Sequence, residues 1–316
     1  MSQKLVLIDG HSILNRAFYG VPDLSNAEGL HTNAIYGFLN IMFKILEEEK
    51  PEYLAVAFDV HAPTFRHQMY QAYKGTRKPM PEELRQQVPV MKEVLKAMHI
   101  TIMEQAGLEA DDILGTLAKK AEQAGLEVSL VSGDRDLLQI ATDHIKIRIP
   151  KTKQGRTEIE DYYAADVLAA YQVTPLQFIE LKALMGDTAD NIPGVPKVGE
   201  KTAQALMVEY GSLDNIYAHV EEISKKSIRE SLIEHKDLAD YIHCKSLLFK
   251  QCRQGIFNAD DSHLQEILEG HTCEVETYGF SEDADLRASN VHLMDKGGTL
   301  GVAYHMNGKL DMDVEI

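Results

Sequence analysis

Several short motifs between Asp9 and Asp190 are rich in acidic side chains. The nine residues concerned are Asp9, Asp59, Glu109, Asp111, Asp112, Asp134, Asp136, Asp187 and Asp190. So many carboxylates would repel one another without cations, and oxygen-only ligands suit Mg²⁺ or Mn²⁺ better than Zn²⁺. Two such ions can hydrolyse a phosphodiester, since one lowers the pKa of the attacking water and the other stabilises the leaving 3′-oxygen. The motifs therefore predict a phosphodiesterase with two metal ions.

Each acidic motif taken alone also fits a capped helix or a surface turn, because carboxylates favour the first turn of a helix. Glu109 and Asp112 are three residues apart at the start of a predicted helix. We expect these two to share one face and bind one cation, with Asp111 turned away.

The elements that must position these residues alternate along the first half of the chain. Apolar runs predict buried parallel strands over four segments: Lys4–Ile8, Tyr53–Phe58, Ile100–Glu104 and Val128–Val131. Helical patterns between them cover Thr32–Glu49, Pro81–Met98 and Ala110–Ala124. The alternation predicts an α/β fold with a mostly parallel sheet flanked by helices. Ligands bind at the carboxyl ends of such strands, where Asp9, Asp59 and Asp134 are expected.

Helical patterns then follow one another from Ala164. They cover residues 164–171, 175–185, 200–210, 212–219, 226–235 and 238–248, which predicts a small helical domain. Beyond Gly255, segments 299–305 and 309–316 flank Asn307-Gly308 and predict a β-hairpin with a two-residue turn. The predicted domains are therefore 1–163, 164–255 and an acidic linker with a hairpin over 256–316.

The formal charge of −17 argues against a nucleic-acid partner until its distribution is considered. Residues 260–316 contain 13 acids and three bases, whereas the first 259 contain 36 acids and 29 bases. Nine of those 36 acids are the motif carboxylates, so the rest of that region is about neutral. No apolar run approaches about 18 residues, the N-terminus lacks a leader and the three cysteines form no CxxC pair. We therefore expect a cytoplasmic protein without membrane, zinc or disulfide.

Two segments suit phosphate binding. Residues 64–78 contain four Lys or Arg, two Tyr, one Phe and no acid. Cations interleaved with rings fit single-stranded nucleic acid, although a solvated basic helix has the same composition. Gly194 and Gly199, five residues apart before a helix, can bring backbone N–H groups to a phosphate without reading base identity, although a plain interhelical turn is the alternative.

In their order along residues 4–248, the motifs resemble the 5′ nuclease domain of bacterial family A DNA polymerases and the wider flap endonuclease superfamily. The matching segments are 7–11, 57–66, 73–77, 109–112, 133–137 and 186–203. The resemblance implies a PIN-like core with a helical arch at about 66–98, then a helix-hairpin-helix domain. It implies a 5′-3′ exonuclease and flap endonuclease that removes 5′ flaps and RNA primers in replication and repair.

The resemblance also assigns roles. The nine carboxylates would bind two or more Mg²⁺ or Mn²⁺ ions, and K⁺ is a further candidate at the helix-hairpin-helix. Lys74 and Arg77 would lie at the scissile phosphate, with Arg16 and Arg66 nearby. The implied DNA contacts are Tyr70, Tyr73, Lys78, Gly194, Val195, Lys197, Val198, Gly199, Lys201 and Thr202. The partners would be DNA with a 5′ flap, nick or branched junction and RNA primer segments, bound by a monomer.

The resemblance becomes poor after about Gly255, where the family continues into exonuclease-like and polymerase domains. The chain is either a stand-alone nuclease with a divergent tail or a fragment of a longer polymerase, and polymerase activity is not expected from it. Two other functions stay open: a non-catalytic module that binds DNA junctions, and an RNase on the related PIN-like fold.

Overall fold

The fold was analysed on a computed structural model that describes residues 3–60, 62–64, 66–67, 70–153, 156–236, 254–258, 274–279, 284–295, 300–308 and 312–315. The chain divides into two compact units, Met1–Ala239 and Asp240–Ile316. The predicted boundary at residues 163 and 164 therefore falls inside the first unit. Among the described helices, none is long and apolar enough to cross a membrane.

A six-stranded sheet lies at the centre of the first unit. Its strands are β1 Lys4–Asp9, β2 Tyr53–Ala57, β3 Thr101–Met103, β4 Glu127–Val131, β5 Ile145–Lys153 and β6 Arg156–Tyr162. The order is β3-β2-β1-β4-β5-β6, and every neighbouring pair is parallel except β5 with β6. The chain order reverses between β1 and β4, so the binding crevice is expected at their carboxyl ends. The predicted mostly parallel α/β fold is confirmed.

The β5–β6 hairpin was not predicted, although residues 145–149 alternate apolar and basic side chains with the period of a strand. Ile145 and Ile147 are fully buried. The alternate side chains Lys146 and Arg148 bind Glu49, at 2.6 and 2.7 Å, and Lys4 binds it at 2.8 Å. Although burial of Glu49 opposes ionisation, these three cations lower its pKa to about 2. A buried ion network thus joins β1 and β5 to Glu49.

Helices cover both faces of the sheet. They are α1 Gly10–Gly20, α2 Asn33–Glu49, α3 Glu82–Arg85, α4 Gln87–Ala97 and α5 Ala110–Gln123. The main core joins Phe38, Met42 and Ile45 of α2 with Phe58 and Leu95, all at most 1% exposed. The predicted helix Pro81–Met98 is two helices instead of one. Pro89 explains the restart, because proline lacks an N–H and is tolerated in a first helical turn.

A buried amide joins α4 to the start of α2. Gln87 is fully buried, and its Oε1 accepts hydrogen bonds from the backbone N–H groups of Ala34 (2.9 Å) and Ile35 (3.2 Å). Its Nε2 donates to Oδ1 of Asn33 (3.0 Å) and to the carbonyl of Glu83 (2.9 Å). Gln87 therefore supplies the cap that α2 lacks, since Thr32 at its N-cap makes no side-chain capping bond among the described residues.

The rest of the first unit is helical. Its helices are α6 Ala164–Tyr171, α7 Pro175–Met185, α8 Glu200–Tyr210, α9 Leu213–Ala218 and α10 Lys226–Glu234. A short antiparallel pair, β7 Gly186–Asp187 and β8 Ile192–Pro193, separates α7 from α8. The helix predicted over 238–248 lies outside the described residues, as do Cys244, Cys252 and Cys273.

The second unit contains a five-stranded sheet. Its strands are β9 Gln254–Asn258, β10 Glu274–Gly279, β11 Leu286–Asp295, β12 Leu300–Gly308 and β13 Met312–Glu315. The order is β13-β12-β11-β10-β9. Strands β12 and β13 pair as predicted, but the prediction of a turn at Asn307-Gly308 is wrong. Both residues extend β12, opposite Arg287 and Leu286, and the innermost described β12–β13 pair is Met306 with Met312.

Candidate active site

The carboxyl edge of the large sheet collects four of the predicted carboxylates. Asp9 ends β1 and caps α1, accepting hydrogen bonds from the Ser12 N–H (3.0 Å) and the Ser132 hydroxyl (2.8 Å). Asp134 follows the adjacent strand β4 and caps a 3₁₀ helix, Arg135–Ile140. Asp59 follows β2 and accepts from the Ala110 N–H at 2.7 Å. The parallel register thus places these strand ends side by side, as predicted.

Asp111 is the fourth member of this group, called here the inner cluster: Asp9, Asp59, Asp111 and Asp134. Its Oδ1 is buried and has no hydrogen-bond partner among the described residues. Burial, followed by the negative charges of Asp9, Asp134 and Asp59, raises the pKa of Asp111 well above its usual range. Burial is also the main cause that raises the pKa of Asp9 to about 6. A buried carboxylate oxygen without a donor, near enough to three other carboxylates for their charges to raise its pKa, fits a bound cation.

The expectation that Asp111 is turned away is wrong, whereas cation binding by Glu109 and Asp112 stays a prediction. The negative charges of Asp9, Asp134 and Asp59 act on Asp111, while Glu109 and Asp112 form a reciprocal capping box at the start of α5. Both carboxylates also bind basic side chains of the chain itself. Arg66 donates two hydrogen bonds of 2.7 Å to Asp112, and the Lys74 ammonium lies 2.8 Å from Glu109. These two carboxylates therefore position basic side chains beside the inner cluster.

The remaining three carboxylates form a second group, called the outer cluster: Asp136, Asp187 and Asp190. One carboxylate oxygen of each lies within 4.8 Å of the others, a spacing at which three ligands can bind one metal ion. The ammonium of Lys182 lies between two of them, 2.9 Å from Asp136 and 2.8 Å from Asp187. Sequence reasoning missed Lys182. The available signal was a basic residue in the last turn of α7, five positions before Asp187.

The outer cluster depends on close packing at two glycines. A Cβ on Gly194 would lie 2.1 Å from the carbonyl carbon of Met185, and one on Gly186 would lie 2.1 Å from the Gly194 nitrogen. Gly186 also has a positive φ of 74°. Only glycine allows β7 and β8 to approach this closely, and their connection carries Asp190.

Tyr73 joins this connection to the start of α5. Its hydroxyl lies 3.1 Å from Oε2 of Glu109 and 2.9 Å from Oδ2 of Asp190. The ring is only 3% exposed, so the expectation that Tyr73 contacts DNA bases is wrong. The next residue, Lys74, donates its backbone N–H to the Asp190 carbonyl at 2.9 Å.

The other predicted basic and aromatic residues are distributed around the carboxylates. Arg77 binds Asp190 at 2.6 Å and keeps 48% of its side chain exposed. Lys78 is exposed and Tyr70 half-buried, while Phe65 lies outside the described residues. Arg16 is half-buried in α1, where burial lowers its pKa. The predicted arch over 66–98 is wrong for α3 and α4, which bury Leu84, Met91 and Leu95 in the core.

The segment before α8 presents a helix N-terminus beside two lysines. Gly199 caps α8, and a Cβ there would meet no described atom within 4 Å. Lys197 and Lys201 are exposed and Thr202 is half-buried. The first N–H groups of a helix have no partner within it, so this end can bind an anion.

Val195 and Val198 do not offer side chains to DNA. They are 2% and 3% exposed, and their N–H groups donate to the carbonyls of Leu184 (2.8 Å) and Val195 (3.0 Å). The prediction that these two residues contact DNA is therefore corrected. Both residues instead hold this segment in place through their buried side chains and these backbone hydrogen bonds.

A mostly parallel sheet with carboxylates at its carboxyl edge, followed by a helical segment, is the arrangement of PIN-like nuclease folds. Comparison with known proteins identifies the family. The 5′-3′ exonuclease N-terminal resolvase-like domain matches residues 4–172, and the 5′-3′ exonuclease C-terminal SAM fold matches residues 173–252. The chain belongs to the 5′-3′ exonuclease family, which confirms the resemblance inferred from the sequence.

Curated relatives are bacterial DNA polymerases. DNA polymerase I of Bacillus caldotenax is 49% identical over 239 residues, which is 76% of this chain and 27% of that protein. DNA polymerase I of Bacillus subtilis (strain 168) is 49% identical over 237 residues, again 27% of its length. The chain thus spans about a quarter of these relatives.

Solved structures share the fold. The T5 D15 protein co-crystallised with metal ions has a TM-score of 0.60 at 22% identity, covering 76% of this chain and 87% of that one. The catalytic core of Rad2 in complex with DNA substrate has a TM-score of 0.50 at 16% identity, covering 76% and 78%.

Proposed function

We propose that this chain hydrolyses DNA phosphodiesters at 5′ flaps, nicks and branched junctions with two divalent cations, Mg²⁺ or Mn²⁺. The observation that carries the proposal is the buried Oδ1 of Asp111, which has no hydrogen-bond partner in the described part of the chain and faces three further carboxylates. Such an oxygen is costly unless a cation binds it. The structural neighbours, one co-crystallised with metal ions and one in complex with DNA substrate, agree with this proposal.

The carboxylates proposed as metal ligands fall into the inner and the outer cluster. The inner cluster would hold one ion and the outer cluster the other, and when bound such ions activate water and stabilise the leaving oxygen. Glu109 and Asp112 would act indirectly, by holding Lys74 and Arg66 at the rim of the site. Lys74 and Arg77 would bind the non-bridging oxygens of the scissile phosphate and stabilise the charge that develops there. Arg16 would contribute to the same positive potential.

The helical segment would bind the duplex. Lys197, Lys201 and the N–H groups at the start of α8 suit phosphate oxygens, which carry no base information. The exposed Lys78 and the half-buried Tyr70 would meet the 5′ strand. K⁺ near Gly199, RNA primers as substrates, a monomeric state and a cytoplasmic location stay predictions.

The test uses labelled 5′-flap, nicked duplex and single-stranded RNA, each with Mg²⁺ and with EDTA. We expect Mg²⁺-dependent cleavage of the flap, loss of cleavage in Asp111→Asn, and normal cleavage in Asp143→Asn, an exposed acid outside both clusters. Binding of the flap without cleavage would favour the non-catalytic junction module. Cleavage of RNA alone would favour the RNase.

A further inference from the structure

The two carboxylate clusters differ in how their negative charge is balanced. In the inner cluster, Oδ1 of Asp111 lacks a hydrogen-bond partner among the described residues. In the outer cluster, by contrast, Lys182 binds Asp136 and Asp187, and Arg77 binds Asp190. All three outer carboxylates are therefore paired with basic side chains of the chain itself.

Lys182 binds two of the three carboxylates that a metal ion would need. Its ammonium lies 2.9 Å from Asp136 and 2.8 Å from Asp187, and its side chain is only 23% exposed. The three carboxylate oxygens themselves lie within 4.8 Å of one another. An ion bound to these oxygens would lie within a few ångströms of the ammonium, and two cations that close repel strongly in a partly buried site.

We propose that Lys182 is a tethered counter-ion that weakens divalent-cation binding at the outer cluster of the DNA-free protein. The inference rests on the proposed function, because it assumes that the outer cluster binds an ion. For the ion to bind, the ammonium must leave at least one of its two carboxylates, and the lost ion pair reduces the affinity. The basic contact that the inner cluster makes with His11 is weaker, because its Nδ1 lies 3.5 Å from Oδ2 of Asp59 and meets one carboxylate instead of two. The two sites should therefore fill in order, inner before outer.

The experiment is calorimetric titration of the full chain with Mn²⁺ in the absence of DNA. We expect the wild type to bind one equivalent tightly and a second weakly. Lys182→Met should tighten the second equivalent by about tenfold or more while leaving the first unchanged. Lys182→Arg, which keeps the charge, should retain weak binding.

Lys92→Met is the matched control. The Lys92 side chain is 22% exposed and binds one carboxylate, Glu104, at 2.5 Å, outside both clusters. This variant should leave both affinities unchanged. Asp187→Asn should abolish the weak equivalent alone, which assigns it to the outer cluster.

A second readout is thermal stability. Without metal, Lys182→Met should melt below the wild type, because Asp136 and Asp187 then lose the ammonium that binds both of them. Mn²⁺ should raise the melting temperature of this variant more than that of the wild type. If Lys182→Met does not fold, Lys182→Gln serves the same comparison.

The outcomes separate the two proposals. A second equivalent that binds Lys182→Met no more tightly than the wild type overturns the counter-ion role and leaves the two-ion function standing. A single equivalent in every variant, unaffected by Asp187→Asn, overturns both.

Discussion

Replacing Gln87 with leucine should destabilise the first unit severely, although the side chain lies outside the proposed catalytic machinery. Gln87 is fully buried and makes four hydrogen bonds, two as acceptor from the N-terminal turn of α2 and two as donor. Leucine has a similar size and keeps the apolar contacts. The substitution therefore removes the hydrogen bonds and leaves the packing largely intact.

The magnitude follows from the groups left without partners. The N–H groups of Ala34 and Ile35 lose their acceptor, and Oδ1 of Asn33, a residue 3% exposed, loses its donor. Each buried polar group left unsatisfied costs roughly 1–3 kcal/mol, and the apolar leucine recovers part of the sum. We expect a net loss of about 3–6 kcal/mol, a large share of the roughly 5–15 kcal/mol typical of folded proteins.

The assay is urea unfolding followed by far-UV circular dichroism, since the chain contains no tryptophan. The control is Gln86→Leu, one residue earlier, where the exposed amide donates a hydrogen bond to Glu82 at 3.2 Å. That change should alter the free energy of unfolding by no more than about 0.5 kcal/mol. A loss below about 1 kcal/mol in Gln87→Leu, or equal losses in both variants, would refute the capping role.

Three further predictions concern the proposed chemistry and the ion network. Asp134→Ala should abolish flap cleavage while DNA binding stays intact or tightens, because in the proposed mechanism this carboxylate binds a cation, and its negative charge repels phosphate. Normal turnover with Mg²⁺ would contradict two-ion catalysis. Lys74→Ala should slow single-turnover cleavage on the order of 10²-fold, with a much smaller change in duplex affinity, and an effect on affinity alone would show that the lysine lies away from the reacting phosphate. Glu49→Gln should cost about 3 kcal/mol of unfolding free energy at pH 7, because it breaks a buried ion network. Since folding lowers the pKa of Glu49 from 4.5 to about 2, its contribution is complete above about pH 4.5 and declines as the pH falls towards 2. Denaturant titrations of both proteins at pH 7, 5 and 3.5 should show the difference shrinking, and a constant difference would refute the linkage.

The short-range pattern of the sequence determined most of the elements of the first unit, although not the β5–β6 hairpin. The apolar runs before Asp9 and Asp59 predicted β1 and β2 to within one residue, because a strand buried on both faces needs apolar side chains at consecutive positions. The parallel arrangement then predicted that Asp9, Asp59 and Asp134 meet at one edge of the sheet. The resemblance added the family.

The direction of each acid at the start of α5 required the tertiary structure. Glu109 is the N-cap and has extended backbone angles, φ −92° and ψ 160°, so helical spacing does not apply to it. Only the packing of α5 against β1, β2 and β4 turns Asp111 towards the inner cluster. The spacing rule therefore predicted the wrong orientation for Asp111.

Contacts between distant segments decided the rest of the site. Lys182 meets Asp136 because α7 packs against the 3₁₀ helix, and Tyr73 is buried because residues 70–77 pack on the β7–β8 connection. The composition of the segment predicted that the ring of Tyr73 contacts a base, yet an aromatic ring is equally suited to a hydrophobic core. Local propensity determines which elements form, whereas the partner of each side chain depends on which surfaces meet when those elements pack, and only the folded chain decides that.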